Sequence, residues 1–572
     1  MTADTSSPGL PVENLAFSKI IEVDGTHVVA ELDPAISELS RIYGGHSYPI
    51  GQFGSIIKIH FGRKIIFGYV GRLRMKAEYE REIGLPASKS ADGRVIEADL
   101  FGEGEWVLVN ESWVLRFERG VSTFPLPQQT VYLTPKEDLK FVYGQGQSTS
   151  INIGEHVGSG GAPCYANLDE LLGKHTAILG STGAGKSGTV AAILHVILER
   201  GQEMKYPTWK PQVVILDPHN EYGAAFANHK RFSTDEGSLA LPYWLLNFQE
   251  TLTLIVGRTE FVATSQANII KNALQAARDA GAAELQIDAA KITIDSPVPY
   301  RLDVFVGEIE RQRPRGRNKQ EQQPFDSVIE KLSVLRRDGR MSFLMTPWEG
   351  EADPLQEIIG QFVGRENPVC IIDFSGVPNE VAGVASAVIA RTIFNIKVWQ
   401  TPAEREASPI LLVCEEAHRY VPNRGEAQYE AAQEAIRRIA KEGRKYGIGL
   451  MLVSQRPSEV ESTVLSQCNS WIVLRLTNES DRDHVRSILP DSLVGLTKVL
   501  SGLRRREAIF VGQAAMLPSR IMILNLEKDK LPRSHDVSFD LGWQSAPLTA
   551  VKIGEIGTRW RAQERDPNRA RQ

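Results

Sequence analysis

Hydrophobic positions follow two different patterns along the chain, and the change lies near residue 166. From about Leu15 to Leu133, short β-rich runs alternate with Gly or Asp turns, as in "IIEVDGTHVVAEL" and "GEWVLVNESWVLRFERG". Strands of this length, with few helical windows between them, are typical of a small barrel. We therefore predict an all-β barrel over residues 1–142.

Beyond residue 166 the apolar residues come in continuous runs, and a helical stretch follows each run. The runs are "TAILG", "VVILD", "VCIID", "ILLVC", "GLMLVS" and "WIVLRL". A continuous run indicates a strand that is covered on both faces, whereas alternation indicates one exposed face. We therefore predict an α/β core over residues 167–249 and 356–526, with a parallel central sheet and helices on both sides of it.

Three further segments flank or interrupt this core. Residues 143–166 are rich in Gly and Ser, which predicts a linker or docking loop. Residues 250–355 predict a helical insertion between the second and third core strands. Its basic run Arg311–Lys319 could contact phosphate, although such runs are usually solvated loops. Residues 527–572 have little periodicity and predict either an arm that packs on a neighbouring subunit or a disordered tail.

The composition narrows the class of protein without giving its function. The chain has 572 residues, of which 42% are hydrophobic and 24% charged, so we expect a folded, water-soluble protein of two or more domains. The net charge of −5 gives no overall reason to expect nucleic acid, although a local basic stripe or a ring-shaped assembly could supply one. The four widely spaced cysteines argue against a zinc site or a disulfide frame. With no leader-like start and no long apolar run, we expect a cytoplasmic protein without membrane contact.

The segment "GSTGAGKS" carries the clearest chemistry in the chain. It follows the strand "HTAIL", precedes the helix "GTVAAILHVILERG", and fits the phosphate-binding pattern G-x-x-x-x-G-K-[ST]. In such a P-loop the backbone N–H groups surround the β-phosphate, the lysine reaches the β- and γ-phosphates, and the serine hydroxyl ligates Mg²⁺. We predict ATP and Mg²⁺ as cofactors. The predicted nucleotide-binding residues of the loop are Gly180, Ser181, Thr182, Gly183, Ala184, Gly185, Lys186 and Ser187.

Two adjacent acids, Glu415 and Glu416, end the apolar run in "VCEEAHRYVP". Burial of an acidic pair costs desolvation energy unless a positive partner uses it. A P-loop enzyme needs one carboxylate on the Mg²⁺ side and a second that polarises the attacking water. We assign these roles to Glu415 and Glu416 respectively. The letters "EEAH" resemble the DEAH-type helicases, but the chain lacks the second core of similar size that those enzymes use.

Several segments together closely resemble the HerA family, hexameric ATPases of the FtsK and HerA branch of P-loop motors. They are "VVILDPHNEYG", "LLVCEEAHRYVP", "IRRIAKEGRKYGIGLMLVSQRPSEVESTVLSQCNSWIVLRL" and the P-loop. The resemblance covers about residues 176–526. It implies a RecA-like P-loop core, and the amino-terminal β-rich part resembles the HAS barrel of that family.

The resemblance also implies roles for two further residues. Gln455 in "SQRP" matches the polar sensor that touches the γ-phosphate or the attacking water. Arg444 in "EGRKYG" matches the arginine that senses or stabilises phosphate charge, supplied across the subunit interface. The cations that compete for the latter role on the same chemistry are Arg438, Lys445 and Arg475.

Asp217 and Glu221 in "DPHNEYG" match the family pattern D-x-H-G-E-Y, which implies that they belong to the nucleotide site. Asn220 stands where Gly is usual, which puts the turn geometry in question. For Asp217 a hydrogen-bonding role toward the core is left open beside the catalytic one. The same alternatives apply to Asp373 in "DFSGVP".

For the whole protein the resemblance implies a ring of six subunits that surrounds double-stranded DNA and moves it by ATP hydrolysis. It also implies a separate effector, either a NurA-like or other nuclease or a sirtuin-like NAD hydrolase, in DNA end processing or antiphage defence. The barrel would dock that effector, and "NRGEAQYEAA" is a candidate pore loop. The alternative is a ring scaffold that assembles and gates an effector without processive movement on DNA.

Overall fold

The computed structural model describes most of the chain, which divides into two compact units. The first unit comprises residues 1–171, 176–196 and 469–525, and the second comprises 172–175, 197–468 and 526–572. Among the described residues, no helix is long and apolar enough to cross a bilayer. The described residues are 11–36, 38–86, 93–109, 112–142, 149–157, 161–233, 238–257, 264–315, 318–350, 352–363, 367–375, 379–423, 430–488, 497, 499–533 and 538–562.

Strands and helices are numbered in chain order. The strands are β1 (Ala16–Asp24), β2 (His27–Leu32), β3 (Ser40–Tyr43), β4 (His46–Pro49), β5 (Ile56–Phe61), β6 (Lys64–Met75), β7 (Arg94–Val109), β8 (Ser112–Arg119), β9 (Thr130–Leu133), β10 (Ser150–His156), β11 (Ala162–Asn167), β12 (Thr176–Leu179), β13 (Gln212–Asp217), β14 (His229–Ser233), β15 (Val369–Asp373), β16 (Ile410–Cys414), β17 (Ile448–Ser454), β18 (Ser470–Leu474), β19 (Glu507–Gly512) and β20 (Ser519–Ile523). The helices are α1 (Lys76–Glu82), α2 (Lys136–Val142), α3 (Leu168–Gly173), α4 (Lys186–Glu203), α5 (Phe248–Val256), α6 (Thr264–Glu284), α7 (Leu302–Gln312), α8 (Lys319–Arg337), α9 (Leu355–Val363), α10 (Asn379–Trp399), α11 (Pro402–Ala407), α12 (Glu430–Glu442), α13 (Ser462–Leu465), α14 (Glu479–Ile488), α15 (Phe539–Gln544) and α16 (Ala550–Ala562).

The amino-terminal part of the first unit is a closed antiparallel barrel. Strands β2, β1, β9, β5, β6 and β7 follow one another, and β7 pairs back onto β2, while β8 adds to the outer side of β7. The hairpin between β5 and β6 turns on Gly62, whose φ of +64° is a conformation that a residue with a Cβ adopts only at a cost. This architecture agrees with the predicted all-β barrel.

Apolar side chains from these strands fill the barrel. Each fully buried Ile, Val or Leu contributes roughly 1.5–3 kcal/mol relative to an exposed side chain, so the interior alone accounts for much of the stability of this part. Members of this core with at most 5% exposure include Ile57, Ile59, Ile66, Val131 and Leu133.

The first unit also contains a mixed sheet in the order β11-β10-β20-β19-β18-β12. Only the β12–β18 pair is parallel, so the predicted all-parallel core does not extend through this sheet. The sequence also predicts a linker over residues 143–166, but β10 and β11 occupy most of the described part of that segment. Gly154 explains the difference, because a Cβ there would lie 2.2 Å from the carbonyl oxygen of Met522 in β20. The glycine here allows two strands to pair closely and does not indicate a flexible linker.

The second unit contains a parallel sheet in the order β17-β16-β13-β15-β14. Every residue of β13, β15, β16 and β17 is buried, as expected for strands covered on both faces. All six apolar runs that the sequence marks as strands form strands, four in this sheet and two, β12 and β18, in the first unit. Strand β14 carries polar residues and lies at the sheet edge, so its sequence gave no such signal.

Helices α5 to α8 occupy the segment that the sequence predicts as a helical insertion, and Glu250 ties that segment to α10. The Asn247 side chain accepts the Glu250 N–H at 2.8 Å, and the Glu250 carboxylate accepts the Asn247 N–H at 2.9 Å, which caps α5. The same carboxylate accepts two hydrogen bonds from the Arg391 guanidinium of α10, at 2.7 and 2.8 Å. Both side chains are largely buried, so the pair holds the insertion against the sheet-covering helix.

Replacement of Arg391 by Ala should lower the free energy of unfolding by about 3 kcal/mol, because it leaves the buried Glu250 carboxylate without its guanidinium partner. Calorimetric unfolding of the variant measures the loss. Arg311→Ala is the matched control, since Arg311 makes the same two-bond contact with Glu308 but lies 74% exposed and should contribute little. Equal losses in both variants would contradict the assignment.

Candidate nucleotide-binding site

The P-loop of the first unit joins β12 to α4, in the strand-loop-helix setting that the sequence predicts. Gly183 and Gly185 have φ values of +73° and +107°, which residues with a Cβ rarely adopt. A Cβ on Gly180 would lie 2.9 Å from the Cβ of Leu474. The glycines of the motif are therefore required by the shape of the loop itself, as well as by the close approach of a phosphate.

Backbone hydrogen bonds from two strand ends hold this loop. The Ser181 N–H donates to the Arg475 carbonyl at 2.8 Å, and the Thr477 N–H donates to the Ser181 hydroxyl at 3.0 Å. The Arg506 N–H, just before β19, donates to the Ala184 carbonyl at 3.0 Å. The loop is thus fixed from both sides by the chain that follows β18 and precedes β19.

The surroundings of the loop suit an anion. Lys186 is the first residue of α4 and is 7% exposed, and the amino terminus of a helix favours negative charge through its N–H groups and its dipole. Arg504 and Arg505, next in sequence to the loop-bound Arg506, are exposed. Sequence reasoning missed Thr477 and Arg506, because both lie about 300 residues from the loop in sequence and neither belongs to a motif.

In the second unit, Asp217 ends β13 and is fully buried. Its carboxylate accepts the N–H of His219 at 3.2 Å and the N–H of Tyr222 at 3.0 Å, so it shapes the turn that follows the strand. Burial raises the pKa of Asp217 to about 7, and Asp373 and Glu221 add to that rise against the lowering effect of the two N–H groups. The hydrogen-bonding role that the sequence left open is present.

Asp373 ends the neighbouring strand β15 in register with Asp217. It accepts hydrogen bonds from the Arg231 guanidinium at 2.7 Å and from the Ser375 N–H at 2.8 Å. Its carboxylate is thus ion-paired to β14 and caps its own loop. This arrangement gives Asp373 a structural task.

Asn220 has a φ of +56°, the left-handed conformation that Gly adopts freely and that Asn tolerates better than most residues. The departure from the family pattern therefore preserves the turn. Glu221 is half-buried, and its carbonyl accepts the N–H of Arg533 at 3.0 Å. The segment after β20 thus contacts the turn that carries Glu221.

Glu415 follows β16 and is 4% exposed. Its carboxylate accepts the hydroxyl hydrogen of Tyr222, a side chain that is itself completely buried. Burial and the neighbouring Glu415 raise the pKa of Tyr222 well above its ordinary value, so the phenol is neutral and acts as a donor. The sequence contained Tyr222 in "DPHNEYG", but nothing local indicated its partner.

Glu416 has a φ of +53° and is 6% exposed. Its Oε2 atom is buried and accepts no hydrogen bond within the described part of the chain, although His418 Nδ1 lies 3.3 Å away. Burial lowers the pKa of His418, against the opposing effect of Glu416, and its Nδ1 also lies 3.4 Å from the Ser454 hydroxyl. A strained, buried carboxylate beside a neutral imidazole is typical of functional sites.

Gln455 directly follows β17 and is half-buried. Arg444 is exposed, in the turn Gly443–Tyr446 after α12, and its guanidinium makes no hydrogen bond or ion pair to the described residues. Arg438, one of its competitors, lies over the Phe394 ring at 4.4 Å and pairs with Glu442 at 3.8 Å. Of the two, Arg444 is the one available to a neighbouring molecule.

Comparisons with known proteins agree with this chemistry. Residues 151–393 match the family model described as "Helicase HerA, central domain". The chain is 27% identical to the DNA double-strand break repair helicase HerA of Pyrococcus furiosus over 435 residues, which cover 70% of this chain and 73% of that protein. It is 26% identical to the HerA of Sulfolobus acidocaldarius over 409 residues, covering 70% and 74%. The chain is thus similar to proteins of the HerA family over about 70% of its length. This similarity and the P-loop support an ATP-hydrolysing enzyme.

A probable helicase of Methanocaldococcus jannaschii is a further relative, 25% identical over 401 residues that cover 70% of this chain and 71% of that one. Among solved structures, VirB4 of Thermoanaerobacter pseudethanolicus has a TM-score of 0.47 at 17% identity and covers 68% of this chain and 99% of its own. The bacterial conjugative coupling protein TrwB has a TM-score of 0.45 at 13% identity, with 70% and 95% covered. The HerA central-domain match begins in β10 and ends in α10, so it includes the P-loop and Asp217.

The raised pKa of Asp217 predicts how stability depends on pH. Because the folded state favours the protonated acid, its stabilising contribution is complete below the ordinary pKa of 3.8 and is lost as the pH rises through about 7. Asp217→Asn keeps an acceptor oxygen for both N–H groups and carries no charge, so the variant should be more stable than the wild type above about pH 7.

Melting temperatures across that pH range, in EDTA and without nucleotide, measure the difference. Asp279→Asn is the control, because Asp279 lies on the exposed face of α6 and its replacement should leave the wild-type profile unchanged. An Asp217→Asn profile parallel to that of the wild type would refute the assignment.

Proposed function

We propose that this HerA-like ATPase forms a hexameric ring that moves along double-stranded DNA and passes it to a separate effector protein. The effector is a NurA-like or other nuclease, or a sirtuin-like NAD hydrolase, in DNA end processing or antiphage defence. The observation that best supports ATP hydrolysis is the buried carboxylate of Glu416, whose Oε2 atom accepts no hydrogen bond from the described residues. The relatives named as DNA double-strand break repair helicases support the DNA part.

In the proposed reaction the P-loop N–H groups and Lys186 bind the phosphates of ATP, and Glu416 takes a proton from the attacking water. The buried setting of Glu416 supports this role, because few water molecules compete for its carboxylate. Gln455 orients the same water or the γ-phosphate. Asp217 and Glu221 line the nucleotide site through the turn after β13.

Ser187 and Glu415 would hold Mg²⁺. Both offer hard oxygen donors, and Mg²⁺ in ATPases commonly takes only one or two protein ligands besides phosphate oxygens and water. When bound, Mg²⁺ neutralises charge on the β- and γ-phosphates.

Arg444 acts on the nucleotide of the adjacent subunit. Its exposed guanidinium, with no partner among the described residues, supports this role, whereas Arg438 is already engaged with Phe394. An arginine supplied in trans makes hydrolysis depend on assembly of the ring. Turnover would then pass between subunits.

DNA contact is expected to be with phosphates, because nothing in the chain indicates base recognition. The basic run Arg311–Lys319 is a weaker candidate for that contact than its sequence suggests, since Arg311 pairs with Glu308 and Arg313 with Asp326. Residues 424–429 of the candidate pore loop "NRGEAQYEAA" lie outside the described residues. For the effector, we propose the barrel as the docking part, which is supported by exposed apolar side chains on Leu108 and Leu126.

ATP turnover should increase with the length of duplex DNA, because a translocating ring keeps hydrolysing until it reaches an end. Steady-state ATPase assays on a series of duplex lengths measure this. Glu416→Gln should reduce turnover on long duplex about a hundredfold or more, and Lys186→Ala should remove nucleotide binding as well. Turnover independent of length, with effector function retained in Glu416→Gln, would instead favour a scaffold that gates its effector without movement.

Arg444→Ala should retain nucleotide binding while turnover collapses. Mixing Arg444→Ala with Glu416→Gln subunits should restore part of the activity, because roughly a quarter of the interfaces in an equal mixture combine both intact residues. Turnover and native mass of the mixed assemblies are the measurements. An inactive mixture of properly exchanged rings would make Arg444 a residue that acts within its own subunit.

A further inference from the structure

Tyr222 is bonded at both ends to the acidic edge of the second unit. Its N–H donates to the Asp217 carboxylate at 3.0 Å, and its hydroxyl donates to Glu415 Oε2. The side chain is completely buried. Tyr222 therefore spans from the strand end of β13 to the carboxylate that follows β16.

The backbone around Tyr222 is fixed from three directions. The Ala225 N–H donates to the Tyr222 carbonyl at 2.9 Å, and the Arg533 N–H donates to the carbonyl of the preceding Glu221 at 3.0 Å. Together with the bond to Asp217, these contacts leave the phenol little freedom to move away from its acceptor. The hydroxyl is thus a rigidly mounted donor.

We infer that Tyr222 is a positioning residue for Glu415. Its hydroxyl holds the Glu415 carboxylate in one orientation, and so sets how tightly the site binds a nucleotide together with Mg²⁺. This inference rests on the proposed function, in which Glu415 is the carboxylate on the Mg²⁺ side. Residues that orient a ligating side chain commonly change metal affinity by about 10- to 100-fold when they are replaced.

Tyr420 offers a matched comparison within the same unit. It is 1% exposed, lies four residues beyond Glu416, and its hydroxyl has no hydrogen-bond partner among the described residues. Tyr222→Phe and Tyr420→Phe remove the same atom from equally buried rings. Only the first removes a donor to Glu415, so the two variants separate positioning from packing.

The test measures the affinity of the full-length protein for a fluorescent ADP analogue, once with Mg²⁺ and once with EDTA. Tyr222→Phe should weaken binding about tenfold with Mg²⁺ and leave binding in EDTA unchanged. Tyr420→Phe should match the wild type in both conditions. Equal binding by Tyr222→Phe and the wild type, or an equal loss with and without Mg²⁺, would overturn the inference.

Two further variants test whether the effect passes through Glu415. In a Glu415→Gln background, Tyr222→Phe should cause no additional loss, since the acceptor charge is already absent. Glu415→Asp keeps the charge but withdraws it from the hydroxyl, and should show the same tenfold loss without altering Tyr222. A full additional loss in the first case, or wild-type affinity in the second, would refute the role.

These results are distinguishable from failure of the proposed function. If wild-type binding of the analogue does not respond to Mg²⁺, or if Lys186→Ala binds as well as the wild type, the assignment of the nucleotide site itself fails. If both controls behave as expected and only the Tyr222 variants match the wild type, the inference fails and the ATPase proposal stands.

Discussion

Burial of carboxylates at the carboxyl ends of parallel strands is the constraint on which the second unit depends. Asp217, Asp373 and Glu415 are each at most 4% exposed, and burial of a carboxylate carries a large desolvation cost. Each accepts hydrogen bonds that reduce this cost: from backbone N–H groups for Asp217, a guanidinium for Asp373 and the phenol of Tyr222 for Glu415. Glu416 differs, because its Oε2 lacks such a donor among the described residues.

In the first unit the corresponding feature is the P-loop, beside which positively charged side chains lie. Its P-loop is shaped by glycines and held by backbone bonds to Arg475 and Arg506. Side chains contribute Lys186 and, next to the loop, exposed arginines. Within each unit, groups from neighbouring strands and the segments after them hold these residues in place.

The sequence predicted those elements whose causes are local. Continuous apolar runs marked six strands correctly, because a strand buried on both faces cannot tolerate polar residues. The glycines of "GSTGAGKS" and the acids of "VCEEAH" were also predicted, because each motif consists of consecutive residues. Residues 143–166 were interpreted as a linker because Gly and Ser usually indicate flexibility, whereas Gly154 serves close strand contact with Met522. The edge strand β14 escaped notice because its exposed position allows polar residues.

The amino-acid sequence by itself determined the P-loop, six core strands, the acidic pair and the similarity to the HerA family, since each is written in consecutive residues. Only the tertiary structure showed which carboxylates accept hydrogen bonds, and from which donors. Tyr222 and Glu415 are 193 residues apart, and Arg533 reaches the Glu221 turn from the far end of the chain. Such contacts arise from sheet order and burial, which depend on every element at once. A motif identifies which side chains are present, and the fold determines which of them contact one another.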